Sequence, residues 1–205
     1  MNPGQILPIV LAMSTAVGLI VAARRLKKEG PQKEQELYRH LDGMGVKVSV
    51  PEELVNQTTT GHKRPWGQKP VGTIKLIGSN VDSIDVIGTA SQYGINYYLD
   101  YLVRISGFFG TKKKTRMVKK KTSFFGGMVA DIEWKGDDSL AQRLNYDYQL
   151  KEKLLHMGPD ALKGSIVAVP EVKHGYARLR TSYSLLTRTM FENIDTIARH
   201  IRSEW

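Results

Sequence analysis

The residues with the strongest chemical character form a basic segment at positions 107–127. Seven lysine and arginine residues fall within ten positions, and a pair of phenylalanines flanks them on each side. Basic side chains bind phosphates or anionic headgroups, while phenylalanine inserts at a membrane interface or stacks on bases. Because long loops in compact domains are usually functional or disordered, we predict a binding loop for an anionic surface or partner, the alternative being a solvated hairpin tip. Its members are Phe108, Phe109, Lys112, Lys113, Lys114, Arg116, Lys119, Lys120, Lys121, Phe124 and Phe125.

A second candidate site lies on one face of a strand predicted at residues 174–183. Two guanidinium groups and an imidazole on that face could hold a phosphate or carboxylate. The alternative is a set of cross-strand ion pairs with Asp131 and Glu133, which face the polar side of another predicted strand. The possible anion site consists of His174, Tyr176, Arg178 and Arg180.

Several classes of chemistry have no motif in this chain. The sequence contains no Walker loop, no paired zinc-protease histidines, no Gly-x-Ser-x-Gly elbow and no calcium-binding loop. It also contains no cysteine, which excludes disulfides, thiolate zinc sites and a cysteine nucleophile. We therefore expect a binding protein rather than an enzyme, without a metal site or cofactor.

An uncharged stretch near the N-terminus has the composition expected of a membrane anchor. Residues 6–23 carry no charge over eighteen positions, which is at the lower limit for a helix that spans about 30 Å of hydrocarbon. A basic flank of Arg24, Arg25, Lys27 and Lys28 follows it directly. We predict a single transmembrane helix whose flank contacts an anionic inner leaflet. A cleaved signal peptide and a buried core helix are the alternatives.

The distribution of basic residues predicts the orientation of this span. The five residues before it carry no charged side chain, whereas four basic residues follow it closely. Because basic residues are enriched on the cytoplasmic side of a membrane, we predict a single-pass protein of the cell membrane with a cytoplasmic C-terminal domain. A glycosylation sequon at Asn56 would then stay unused.

The net charge supports a concentrated binding surface. The chain has a net charge of +10, and the juxtamembrane flank and the basic segment together carry eleven positive charges. The remainder is therefore close to neutral, which is not typical of a general nucleic-acid binder.

The chain divides into three predicted parts. Residues 1–30 form the anchor with its basic flank. Residues 31–72 form a short helix at 32–42, separated from the anchor by Gly30 and Pro31 and ended by Gly43, followed by an extended linker. Residues 73–205 form the domain.

The patterns within the domain predict an α+β fold. Alternating apolar residues are clearest at 93–105, where every second side chain is apolar, and shorter strands are predicted on either side. Helical patterns cover 139–157 and 185–202. We expect the single transmembrane helix to be followed by a mainly antiparallel sheet that two helices cover on one face.

These observations lead to one main functional hypothesis and two alternatives. The main hypothesis is a membrane-anchored, non-enzymatic scaffold or assembly subunit with a protein partner in a membrane complex. The first alternative is a membrane-associated nucleic-acid-binding module, in which lysines neutralise phosphates and phenylalanines stack on bases. The second is an enzyme that uses the face formed by His174, Arg178 and Arg180 on an anionic substrate.

Overall fold

The computed structural model describes residues 3–49, 68–105, 112–122, 129–157 and 165–205, without the side chains of 3–17, 19, 68 and 69. Within these residues the chain forms an eight-stranded antiparallel sheet and four α-helices. The predicted α+β class and the antiparallel sheet are therefore confirmed. The four phenylalanines of the basic segment lie outside the described residues.

The elements follow one another in an order close to the predicted one. The helices are α1 (Pro3–Gly43), α2 (Asp138–Tyr146), α3 (Tyr148–His156) and α4 (Arg188–Glu204). The strands are β1 (Val48–Ser49), β2 (Gln68–Leu76), β3 (Ser83–Ser91), β4 (Gly94–Arg104), β5 (Thr115–Lys121), β6 (Val129–Lys135), β7 (Val167–Glu171) and β8 (Tyr176–Ser182). Their order across the sheet is β1-β2-β3-β4-β8-β7-β5-β6.

Strand β4 lies at the centre of the sheet and carries the predicted alternation. Leu99, Tyr101 and Val103 are buried on one face and belong to the main hydrophobic core. The opposite face carries Asn96, which is exposed, Tyr98, which is half-buried, and Asp100, which is fully buried.

Four helices, not the expected two, contribute to the core on the side of the sheet that Leu99 faces. Buried residues of all four belong to the same cluster, among them Leu41, Leu144, Leu154 and Ile197. The helix predicted at 139–157 is divided at Asp147, whose carboxylate accepts a hydrogen bond from the Leu150 N–H at 2.9 Å and caps α3.

Helix α1 is continuous through Gly30 and Pro31, so the predicted break between anchor and short helix is wrong. Gly30 instead permits close packing, because a Cβ atom placed there would lie 2.6 Å from the Cβ of Val71 on β2. Leu37 and Leu41, further along α1, are fully buried in the core. Packing against the sheet therefore outweighs the local tendency of Gly-Pro to end a helix. The predicted stop at Gly43 is confirmed.

The linker predicted up to residue 72 is also shorter than expected. Strand β2 begins at Gln68 and pairs with β3 from Gln68 opposite Thr89 to Lys75 opposite Ser83. The rest of that prediction, residues 50–67, lies outside the described residues.

Among residues described together with their side chains, no helix is long and apolar enough to cross a membrane. Most of the stretch 6–23 lies outside that set. The transmembrane span therefore stays a prediction.

The two ends of the sheet can be identified by the two turns that flank β3. The turn of Gln92 and Tyr93 joins β3 to β4 and marks the Tyr93 end, while residues 77–82 join β2 to β3 and mark the Ile77 end. Strand β4 runs towards the Ile77 end. Because β8, β7 and β5 follow across the sheet with antiparallel pairing at each step, β5 runs towards the Tyr93 end and finishes there at Lys121.

Candidate functional site

The basic segment is not a single loop, which corrects the prediction for residues 107–127. Its central part is strand β5, which pairs with β6 and β7. Lys112 precedes this strand at the Ile77 end, whereas Thr122 follows it at the Tyr93 end. Seven residues of strand at about 3.3 Å each separate these points by roughly 20 Å. The lysines therefore form two groups at opposite ends of the sheet.

The first group, Lys112 to Lys114, is tied to neighbouring elements. The Lys112 ammonium donates a hydrogen bond to the Glu204 carbonyl oxygen at 2.8 Å, and the Lys113 N–H donates to Asp137 at 3.0 Å. Burial alone would raise the pKa of the Asp137 carboxyl, but hydrogen bonds from Lys113 N–H and Ser139 lower it on balance. The same carboxylate caps α2. This group therefore helps to attach β5 to the helical layer.

The second group, Lys119 to Lys121, lies at the Tyr93 end, and its three side chains have different environments. Burial, and then the like charge of Lys121, lower the pKa of Lys119. Lys120 lies 3.6 Å from Asp131 and 3.3 Å from Glu133 on the adjacent strand, and Lys121 is exposed. Asp131 and Glu133 therefore pair with a lysine of the basic segment, where the sequence suggested the arginines of β8.

The possible anion site is brought together only in part. His174 belongs to a short 3₁₀ helix, Val172–His174, and not to the strand as predicted. Tyr176, Arg178 and Arg180 are alternate residues of β8 and share one face.

Both arginines of that face contact carboxylates of the domain. Arg180 forms a two-pronged pair with Asp100, from Nε to Oδ1 at 2.6 Å and from Nη2 to Oδ2 at 2.8 Å. Arg178 lies 2.8 Å from Glu171 and 3.6 Å from Asp100. Within the described residues this arrangement resembles a buried structural ion network, and binding of an external anion here stays a prediction.

The carboxylates that complete this network were not identified from the sequence. Asp85 on β3 lies directly opposite Asp100 on β4, and both are buried. Asp85 accepts a hydrogen bond from the Thr73 hydroxyl at 2.6 Å. Only the register of β2, β3, β4 and β8 brings these side chains together, and that register depends on long-range pairing.

Helix α1 is attached to the sheet by contacts along its C-terminal part. Ala22 and Leu26 are buried, whereas the basic flank Arg24, Arg25, Lys27 and Lys28 is exposed. A Cβ atom placed on Gly18 would lie 3.3 Å from the carbonyl oxygen of Gln92. The last part of the predicted span, from Gly18 onwards, therefore packs on the domain at the Tyr93 end.

A carboxylate of α1 also contacts the sheet. Glu34 accepts a hydrogen bond from the Thr73 N–H at 2.9 Å. Burial raises the pKa of Glu34; this hydrogen bond opposes the shift and the charge of Asp85 adds to it. Glu34 belongs to the short helix predicted at 32–42, and neither its type nor its spacing marked it as a contact with the sheet.

The described residues also include a shallow cleft of about 510 Å³ on the helical layer. Two of its lining residues form a pair, with His200 Nε2 2.8 Å from an oxygen of Asp147. No group of three or more His, Asp or Glu side chains within the described ranges is arranged to hold a metal ion. The cleft is lined by Arg143, Tyr146, Asp147, Tyr148, Gln149 and His200.

Comparisons with known proteins add no functional assignment. No family model matches this chain, and neither a curated protein nor a solved structure matches it.

Proposed function

We propose that this chain is a membrane-anchored, non-enzymatic binding or assembly subunit whose α+β domain faces the cytoplasm. The observation that carries the proposal is the continuity of α1. One uninterrupted helix, Pro3–Gly43, contains the uncharged stretch 6–23 and then packs on the sheet as far as Leu41. A helix of this kind holds a domain at a membrane without an intervening flexible linker.

The position of the basic side chains supports the same proposal. The exposed flank Arg24, Arg25, Lys27 and Lys28 follows the uncharged stretch directly. Lys119 to Lys121 lie at the same end of the sheet as Gln92, which Gly18 of α1 contacts, although β5 is four strands from β3. Each basic side chain near an anionic leaflet contributes about 1 kcal/mol before screening. Tethering by α1 would make even weak contacts sufficient.

A protein partner in the membrane is part of this proposal. The partner's identity can be determined by isolating what co-purifies with the full chain from solubilised membranes.

The orientation can be tested directly because the chain has no cysteine. We expect Asn2→Cys to react with a membrane-impermeant maleimide in intact cells. Tyr148→Cys, whose side chain is largely exposed in the domain, should react only after the cells are permeabilised. The reverse pattern, or a glycan on Asn56, would contradict the cytoplasmic placement. Recovery of the chain in the soluble fraction would contradict the anchor.

The separation of the lysines predicts unequal contributions to lipid binding. In fragment 18–205, which keeps the part of α1 that packs on the sheet, changing Lys119, Lys120 and Lys121 to Gln should weaken binding to anionic vesicles about tenfold or more. Changing Lys112, Lys113 and Lys114 to Gln is the matched control and should have little effect, because that group lies at the Ile77 end.

Co-sedimentation at increasing salt measures both variants, and circular dichroism checks their folding. If both triple variants lost the same affinity for anionic vesicles, an orientation with the Tyr93 end at the membrane would be contradicted. Binding to single-stranded oligonucleotides but not to anionic vesicles at the same ionic strength would favour the nucleic-acid alternative.

A further inference from the structure

The β3–β4 turn exposes an aromatic side chain at the Tyr93 end of the sheet, where Gly18 of α1 contacts Gln92. Tyr93 is 91% exposed, although the turn that carries it is ordered by hydrogen bonds. The Tyr93 N–H donates to the Ser91 hydroxyl oxygen at 3.3 Å, and the Ser91 hydroxyl donates to the Gly94 carbonyl oxygen at 3.1 Å. A tyrosine held in this way on a tight turn is suited to contact a partner rather than the domain's own core.

Two aliphatic side chains of α1 are exposed near the same turn. Ile20 is 54% exposed and Val21 is 45% exposed. Both lie within one helical turn of Gly18, which contacts Gln92. The Tyr93 end therefore carries three large exposed apolar or aromatic side chains, and the basic flank begins at Arg24, one turn further along the helix.

The length of α1 indicates what covers these side chains. The helix residues before Gly18, from Pro3 to residue 17, are fifteen in number and extend about 22 Å at 1.5 Å per residue. The hydrocarbon core of a bilayer is about 30 Å thick. To cross it, α1 needs about five more residues, from Gly18 to Ala22. Ile20 and Val21 then fall beside the acyl chains, and the boundary between hydrocarbon and headgroups lies near Ala22, about 6 Å along the helix from Gly18.

We propose that the β3–β4 turn is an interfacial anchor, with Tyr93 in the headgroup layer of the membrane that α1 enters and Ile20 and Val21 against the acyl chains. This inference rests on the proposed membrane anchor and adds a specific lipid contact to it. Tyrosine is enriched at this depth because its ring is apolar and its hydroxyl is polar. Arg24 and Arg25 can extend their charged ends to the lipid phosphates.

The anchor has a structural consequence for the whole domain. Contacts of α1 with the sheet at Gln92, Val71 and Thr73 fix the helix along β2 and β3. A second membrane contact at Tyr93, to one side of the helix axis, would prevent the domain from rotating about that axis. The domain would then present one constant face to a membrane partner.

Three single-cysteine variants of the full chain, spin-labelled and reconstituted in phospholipid bilayers, test the inference. Leu11→Cys reports on the middle of the predicted span and Tyr93→Cys on the turn. Ile77→Cys is the matched control, because Ile77 is 58% exposed in the other turn that flanks β3. Collision with oxygen, which concentrates in lipid, and with a water-soluble nickel chelate measures the depth of each label.

We expect Leu11→Cys to be shielded from nickel and accessible to oxygen, Ile77→Cys to show the opposite behaviour, and Tyr93→Cys to lie between them. If the label at position 93 was as accessible to nickel as the label at position 77, while the label at position 11 was shielded from nickel, the turn would be in water. This inference would then fail with the membrane anchor intact. If position 11 was accessible to nickel, the anchor and the inference would both fail. If position 93 was shielded from both reagents, a protein surface such as a second copy would cover it, and the lipid contact would be wrong.

Discussion

Replacement of Arg180 by alanine is expected to lower the free energy of unfolding by about 3–5 kcal/mol. Asp100 is fully buried and receives two hydrogen bonds from the Arg180 guanidinium. Within the described residues Arg178 also contacts this carboxylate, but at 3.6 Å. A buried carboxylate that loses a close, two-pronged partner loses a large part of what offsets its desolvation penalty. Urea denaturation monitored by circular dichroism measures the loss in the free energy of unfolding.

Two controls separate this effect from the general effect of removing an arginine. Arg188 pairs with Glu192 at 3.3 Å on the surface of α4, and Arg188→Ala should cost under about 1 kcal/mol. The double variant Asp100→Asn with Arg180→Ala should be more stable than Arg180→Ala alone, because the neutral amide is less costly to bury. If both arginine variants lost the same stability, the Asp100–Arg180 pair would not be the buried interaction that these distances indicate.

The elements of this fold that the sequence predicts well are those determined by local pattern. The alternation in β4 and the glycine that ends α1 at Gly43 both follow from side-chain periodicity or from the backbone requirements of one residue. The helical pattern at 185–202 likewise predicts α4, which buries Ile194, Ile197 and Ile201.

The wrong predictions share a physical cause, which is that tertiary packing reversed a local preference. Gly30 and Pro31 form a typical helix stop, but the contact of Gly30 with Val71 supports a continuous helix. The lysines of β5 suggested a binding loop, with a solvated hairpin tip as the alternative. They occur in a strand because Thr115 and Met117 face the core and pair with β7 and β6. Such outcomes depend on contacts between distant segments, which a single sequence does not display.

The candidate site was only partly predictable for a similar reason. The sequence identifies the basic residues, the uncharged stretch and the arginines of β8 by type and spacing. It does not give the strand order, in which β8 and β7 lie between β4 and β5 and direct Lys121 towards the Tyr93 end. The membrane-facing role that we propose for Tyr93 likewise depends on the contact between Gly18 and Gln92, which are 74 positions apart in the chain.

The stability of the domain should depend strongly on the inward face of β4 and weakly on its exposed positions. Leu99 is fully buried in the core and lies opposite Val86 on β3 and Thr181 on β8. Leu99→Ala removes buried methyl groups and leaves a cavity, and we expect a loss of about 2–5 kcal/mol. Because domains of this size are stable by about 5–15 kcal/mol, that loss should lower the thermal midpoint substantially.

Asn96→Ala is the matched control on the same strand, since Asn96 is exposed on the other face. It should change the free energy of unfolding by less than about 0.5 kcal/mol. Denaturant unfolding of both variants beside the parent chain measures the difference. Equal losses for the two variants would mean that Leu99 does not face the core, whereas a large loss for Leu99→Ala alone would identify β4 as the strand on which the helices and the sheet converge.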